Sequence, residues 1–128
     1  MGSVFANLIL DVGDIDRSLA FYHDMLKLPI DRQESYEGHR LAYLQAGQTQ
    51  ILLLQQPKNE QNPALYRSGG LVMKFYVSEL PKLASNLEQK RVTILQDLET
   101  PTHGERSFLV ADPDGYAVLL AEPVETLN

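Results

Sequence analysis

Hydrophobic positions follow two different periods along this chain, and the switches between them mark its elements. Residues 4–12 are rich in branched and aromatic side chains and predict a strand. Gly13-Asp14 then turns the chain and supplies a carboxylate to a helix start. Ile15, Leu19, Tyr22 and Leu26 recur at helical spacing, and Leu28-Pro29 ends the pattern. Asp14 and Asp16 lie where a helix dipole favours anions. Two strands follow, at 30–36 and 39–46, with Glu37-Gly38 as the hairpin turn between them. A further strand at 49–55 carries Ile51-Leu52-Leu53-Leu54, a run that predicts burial on both faces.

Residues 58–69 are polar and read as a linker, after which the pattern restarts. Residues 71–77 predict a strand. Ser78 is placed to cap the next helix, with Pro81 in its first turn and Leu80, Leu83, Ala84 and Leu87 as its apolar face. A short strand at 92–95 leads to a polar loop at 97–105 that contains Pro101, His103 and Gly104. Two last strands, 106–111 and 116–122, are joined by Asp112-Pro113-Asp114-Gly115. That tetrapeptide combines local backbone bonding by Asp, a fixed φ at Pro and a positive φ at Gly.

The order strand, helix, three strands thus occurs twice. Residues 8–15 can be laid over 73–80, and 53–57 over 119–123 at an offset one residue larger. The chain is read as a single domain spanning 1–128, with one module at 4–57 and a second at 70–123. A module with one helix covers only one face of its sheet, so the other face needs a partner, and the cheapest is the other copy. The expected architecture is α+β, two βαβββ modules forming a cupped, partly open eight-stranded barrel around a cleft. Alternation turns Leu8, Leu10, Met73, Phe75 and Val77 to the helices. It turns Ile9, Leu52, Val72, Lys74, Tyr76 and Leu119 to the cleft.

Composition narrows the function classes. Hydrophobic residues make up 44% and charged residues 22% of the 128, as expected for a globular chain. Eleven Lys and Arg against 17 Asp and Glu give a net charge of −6. Lys90-Arg91 is the only adjacent basic pair, so a nucleic-acid surface is not expected. Cysteine is absent, which excludes disulfides, zinc knuckles and thiol nucleophiles. No apolar run approaches the ~18 residues of a membrane span, and no secretory signal is visible, so a cytoplasmic protein is expected.

Asp14-Ile15-Asp16-Arg17-Ser18-Leu19-Ala20-Phe21-Tyr22, followed by Met25-Leu26, is similar to the first helix of the vicinal oxygen chelate superfamily. That group includes glyoxalase I, bleomycin-resistance proteins and extradiol dioxygenases. The segment from Phe108 to Leu120, centred on Asp112-Pro113-Asp114-Gly115, resembles its final hairpin. The resemblance implies the paired βαβββ fold and says little about reaction, because one fold hosts many.

In metal-using members a divalent ion is held by His, Glu or Gln on the first and last strands of each module. The corresponding positions here are Asn7, Val72, Leu52 (or Leu53 at the larger offset) and Leu119. Leu and Val offer no donor and a single neutral amide is weak, so no metal and no cofactor are expected. The expected function is a metal-free small-molecule binding protein, similar to the bleomycin-resistance branch, that sequesters an organic ligand. The alternative is a metal-dependent lyase, isomerase or dioxygenase; a third reading is an interaction module whose cleft is self-filled. The resemblance also implies a homodimer. The expected ligand-binding residues are Asn7, Ile9, Leu52, Val72, Lys74, Tyr76, His103, Phe108 and Leu119, with no catalytic residue assigned. Lys74 is read as a side chain that leaves the cleft mouth or pairs with a carboxylate, with an anchor for an anion or an amine of lowered pKa as the functional alternatives. His23 is read as a surface residue, and Asp11 as part of the rim.

Overall fold

The computed structural model describes residues 2–57, 70–102 and 104–124. The linker at 58–69 and His103 lie outside the described residues. Two compact units divide the chain, residues 1–66 and 67–128. The first contains β1 (Leu8–Asp11), α1 (Ile15–Leu19), β2 (Ile30–Tyr36), β3 (His39–Ala46) and β4 (Thr49–Gln55). The second contains β5 (Val72–Tyr76), α2 (Leu80–Gln89), β6 (Thr93–Thr102), β7 (Glu105–Ala111) and β8 (Ala117–Pro123). The sheet orders are β1-β4-β3-β2 and β5-β8-β7-β6. In both sheets the first strand runs parallel to the last, and the remaining pairs are antiparallel. Each unit is therefore one βαβββ module.

In the first module Leu10 pairs with Leu53 and Leu53 with Ala42, while Leu8, Ile51 and Leu44 form the neighbouring row. Leu10, Leu44 and Leu53 are almost wholly buried. This face carries the helix: the Gln55 side chain accepts the Ile15 N–H at 2.8 Å, and Arg40 binds both carboxylate oxygens of Asp16 at 3.1 Å. Asp14 caps α1 by accepting the Asp16 N–H at 3.0 Å, as its position at the turn predicts.

Beyond Leu19 the helix widens into a π turn over Ala20–Met25. The Leu26 N–H reaches back five residues to the Phe21 carbonyl at 3.0 Å. The wider turn lets two adjacent side chains, Phe21 and Tyr22, face the core together, edge to face at 4.9 Å. His23 is half-buried rather than on the surface, and its Nδ1 lies 2.8 Å from the Leu28 carbonyl, where it closes the end of the turn.

The second module repeats the scheme with different residues. Met73 pairs with Val118 and Val118 with Val110; Phe75 pairs with Leu120 and Leu120 with Phe108. Glu122, on the same side of β8, accepts the Glu79 and Leu80 N–H groups at 2.6 and 3.1 Å and so marks this face as the one under α2. The Asp112-Pro113-Asp114-Gly115 turn forms as read. The Asp112 side chain accepts the Asp114 and Tyr116 N–H groups at 2.9 Å, and Gly115 takes φ 94°.

Three local expectations change. The first strand starts at Leu8, not at residue 4, because its partner β4 begins only two residues before Ile51; Val4 and Phe5 are exposed. Ser78 does not cap α2: the cap position is Glu79, in the left-handed region at φ 53°, and the capping acceptor comes from Glu122. The stretch read as a polar loop at 97–105 is mostly strand. It forms the second half of β6, an edge strand whose register shifts three times against β7.

Candidate functional site

Each sheet has a second face, opposite its helix, and of the residues expected to meet a ligand Ile9, Leu52, Val72, Lys74, Tyr76 and Leu119 fall there by strand alternation. On the first sheet this open face carries Ile9, Leu52, Tyr43 and Arg32 in one cross-strand row. Ile9 is 55% exposed on the edge strand, whereas Leu52 is 7% exposed on the strand beside it. The Arg32 guanidinium stacks 4.1 Å above the Tyr43 ring, and Tyr36 stacks on His39 at 5.3 Å. Asn7 lies half-buried just before β1. Asp11 accepts a hydrogen bond from the Gln56 side chain at 3.2 Å at the end of the same strand.

On the second sheet the open face carries Val72, Lys74 and Tyr76 from β5, Leu119 and Ala121 from β8, and Glu105 from β7. Lys74 pairs with Leu119, and Tyr76 with Ala121. Because Ala121 is small, side chains from β5 reach across β8 to β7. Lys74 Nζ donates to Glu105 Oε2 at 2.9 Å, and the Tyr76 hydroxyl donates to Glu105 Oε1 at 2.8 Å. Lys74 Nζ also lies 3.5 Å from the Tyr76 hydroxyl oxygen. Ala121 is fully buried beneath this bridge, while the Tyr76 ring stays 65% exposed and Val72 56%.

The bonds set the electrostatics. The hydrogen bond with Glu105 holds the Lys74 ammonium above its ordinary range, against a smaller opposing effect of burial. The bonds from Lys74 and then Tyr76 hold the Glu105 carboxyl below the usual carboxylate range. Lys74 is thus a fixed cation with a matched counter-charge, which removes the reading of a lowered-pKa amine.

Phe108 does not belong to this face. It pairs with Leu120 on the side under α2 and is 1% exposed, so it is core. Parity decides this, since Phe108 and Leu109 point to opposite sides and Leu109 is the neighbour of Leu119. Glu105 was missed because it falls at the end of the stretch read as loop. The signal was available in its spacing, two and four residues before Ser107 and Leu109 on one strand face.

A family model covers residues 5–120, that of the Glyoxalase/Bleomycin resistance protein/Dioxygenase superfamily. The chain belongs to this superfamily. Solved structures of similar fold include a glyoxalase family protein from Bacillus cereus, at TM-score 0.79 and 16% identity over 94% of each chain. The trypanothione-dependent glyoxalase I of Leishmania major superposes at TM-score 0.73 and 21% identity, over 94% of this chain and 87% of that one. A protein of unknown function from Agrobacterium tumefaciens does so at TM-score 0.70 and 26% identity, over 97% of both chains. No curated protein matches the chain.

The superfamily's metal can be tested against the residues that stand at its ligand positions. Leu10 and Phe75 occupy equivalent places and pair with Leu53 and Leu120, so Leu52 corresponds to Leu119 and Leu53 is core. The residues expected at the ligand positions are therefore Asn7, Leu52, Val72 and Leu119. Three hydrocarbon side chains and one neutral amide do not fit a divalent ion. Among the described residues no three His, Asp or Glu side chains come together as a metal-ligating group. No described helix is long and apolar enough to cross a membrane.

Proposed function

We propose that this member of the superfamily binds and sequesters a small organic molecule without a resident metal, in the manner of the bleomycin-resistance branch. The observation that carries this reading is chemical: apolar side chains stand where metal-using members present donors. The same replacements that abolish coordination make a better surface for an organic body. On the first unit Ile9, with the small remaining surface of Leu52, and on the second unit Val72 and Leu119 offer apolar contact worth about 25 cal/mol for each Å² removed from water. The polar groups proposed to orient a ligand are Asn7 on the first unit and Lys74 and Tyr76 on the second. The protein acts in the cytoplasm as a homodimer, and the exposed apolar residues Val4 and Phe5 suit cover by a second copy.

The test is metal content followed by ligand stabilisation. Purified protein is incubated with Zn²⁺, Ni²⁺, Mn²⁺ and Fe²⁺, desalted, and assayed by elemental analysis. The expected content is far below one ion per chain, together with a raised melting temperature in the presence of small aromatic compounds. One tightly held ion per chain overturns the proposal and returns a metal-dependent lyase, isomerase or dioxygenase to first place.

A further inference from the structure

The bridge of Lys74, Tyr76 and Glu105 restricts what the open face of the second sheet can recognise. A Lys ammonium has three N–H donors. One goes to Glu105 Oε2 and a second points at the Tyr76 hydroxyl oxygen. The Tyr76 proton is committed to Glu105 Oε1. Among the described residues, the third Lys74 N–H and the second lone pairs of the Glu105 oxygens are left over. The cluster therefore offers one donor and adjacent acceptors at zero net charge.

A ligand with a lone carboxylate gains little from this arrangement, because Lys74 is already neutralised and Glu105 repels it. A ligand with a lone ammonium meets the opposite problem. A neutral group that carries a donor and an acceptor side by side satisfies both partners and leaves the ion pair intact. Beside the cluster lie the exposed Tyr76 ring and Val72, with Leu119 next to Lys74. These favour a flat apolar body attached to the polar group.

We infer that this face recognises neutral aromatic ligands bearing a primary amide or an equivalent donor–acceptor edge, with Lys74 and Glu105 as the specificity-determining pair. The inference rests on the ligand-binding reading above and assigns its ligand class. Sequence alone offered Lys74 as an anion anchor or as the partner of a carboxylate, and the bond to Glu105 realises the second.

The experiment uses three probes of one shape: benzamide, benzoate and benzylamine, titrated by NMR against the full chain. Benzamide is expected to bind the wild type about fivefold more tightly than either charged probe. In Glu105→Gln the cation is uncompensated, and benzoate is expected to gain about tenfold and become the preferred probe. In Lys74→Met the carboxylate is uncompensated, and benzylamine is expected to gain by a similar factor. The two variants invert the order in opposite directions, which a merely structural role cannot do, and either alone suffices if the other fails to fold. Equal binding of the three probes, or an unchanged order in the folded variants, overturns the assignment. Metal content measured on the same samples reports separately on the metal-free reading.

Discussion

Glu122 holds the start of α2 from a strand more than forty residues away, and its removal should be felt across the second module. Its carboxylate accepts the Glu79 N–H at 2.6 Å and the Leu80 N–H at 3.1 Å. No side chain of the helix's own cap residue does this, and Leu80 itself is fully buried. The Arg106 contact, at 3.9 Å and partly exposed, adds little. Glu122→Ala therefore removes the cap, which consists of these two charge-assisted hydrogen bonds, and leaves N–H groups in need of water. Loss of a cap costs about 1 kcal/mol, and an unpaired donor in a half-buried place about 1 more, so about 2 kcal/mol is expected. For a chain of this length that lowers the melting temperature by about 10 °C. Glu122→Gln keeps one acceptor oxygen and should lose about half as much. Thermal and urea unfolding measure the loss, and amide exchange localises it: the Glu79 and Leu80 amides should exchange about 30-fold faster in Glu122→Ala. Stability within about 0.5 kcal/mol of the wild type, or unchanged exchange at those two amides, would refute the capping argument.

Two further outcomes follow from the same geometry. Phe108→Ala, in the core beneath α2, should cost about 3–5 kcal/mol by urea denaturation, whereas Leu119→Ala on the open face should cost about 1 kcal/mol; equal losses would place Phe108 outside the core. The Lys74–Glu105 pair should make stability depend on pH at both ends. Glu105 is depressed, so its contribution is present above the ordinary value of 4.5 and is lost as pH falls through the lower folded value. Lys74 is raised, so its contribution is full below the ordinary 10.5 and is lost as pH rises through the higher folded value. The difference in melting temperature between wild type and Glu105→Gln should therefore be widest between those limits; a difference constant with pH contradicts it.

Much of the fold was legible because local chemistry and long-range pairing agree. Asp14, Glu37-Gly38 and Asp112-Pro113-Asp114-Gly115 act through bonds within a few residues, so their roles can be read from short windows. Alternation placed Ile9, Lys74, Tyr76 and Leu119 on the open faces correctly. Alternation was not applied to Phe108, whose parity relative to Leu119 puts it in the core and not among the ligand contacts. The cap of α2 was misassigned to Ser78 because the true acceptor, Glu122, is distant in sequence and no local signal carries it. The second half of β6 was hidden by its bulges, and Glu105 with it. The π turn was invisible because Tyr22 and Leu26 keep helical spacing while Phe21 joins the core beside Tyr22.

The parallel pairing of first strand with last has a consequence for how the chain is born. During synthesis β1 leaves the ribosome first, yet its sheet neighbour, β4, leaves last in that half. The helix start at Ile15 waits for Gln55 in the same way. Until the ribosome has passed residue 55, Leu10 has no strand to lie against, and the nascent half must stay open with its apolar residues uncovered. The closing contact of each half is also its latest product, so completion, not initiation, sets the moment at which it becomes safe from aggregation.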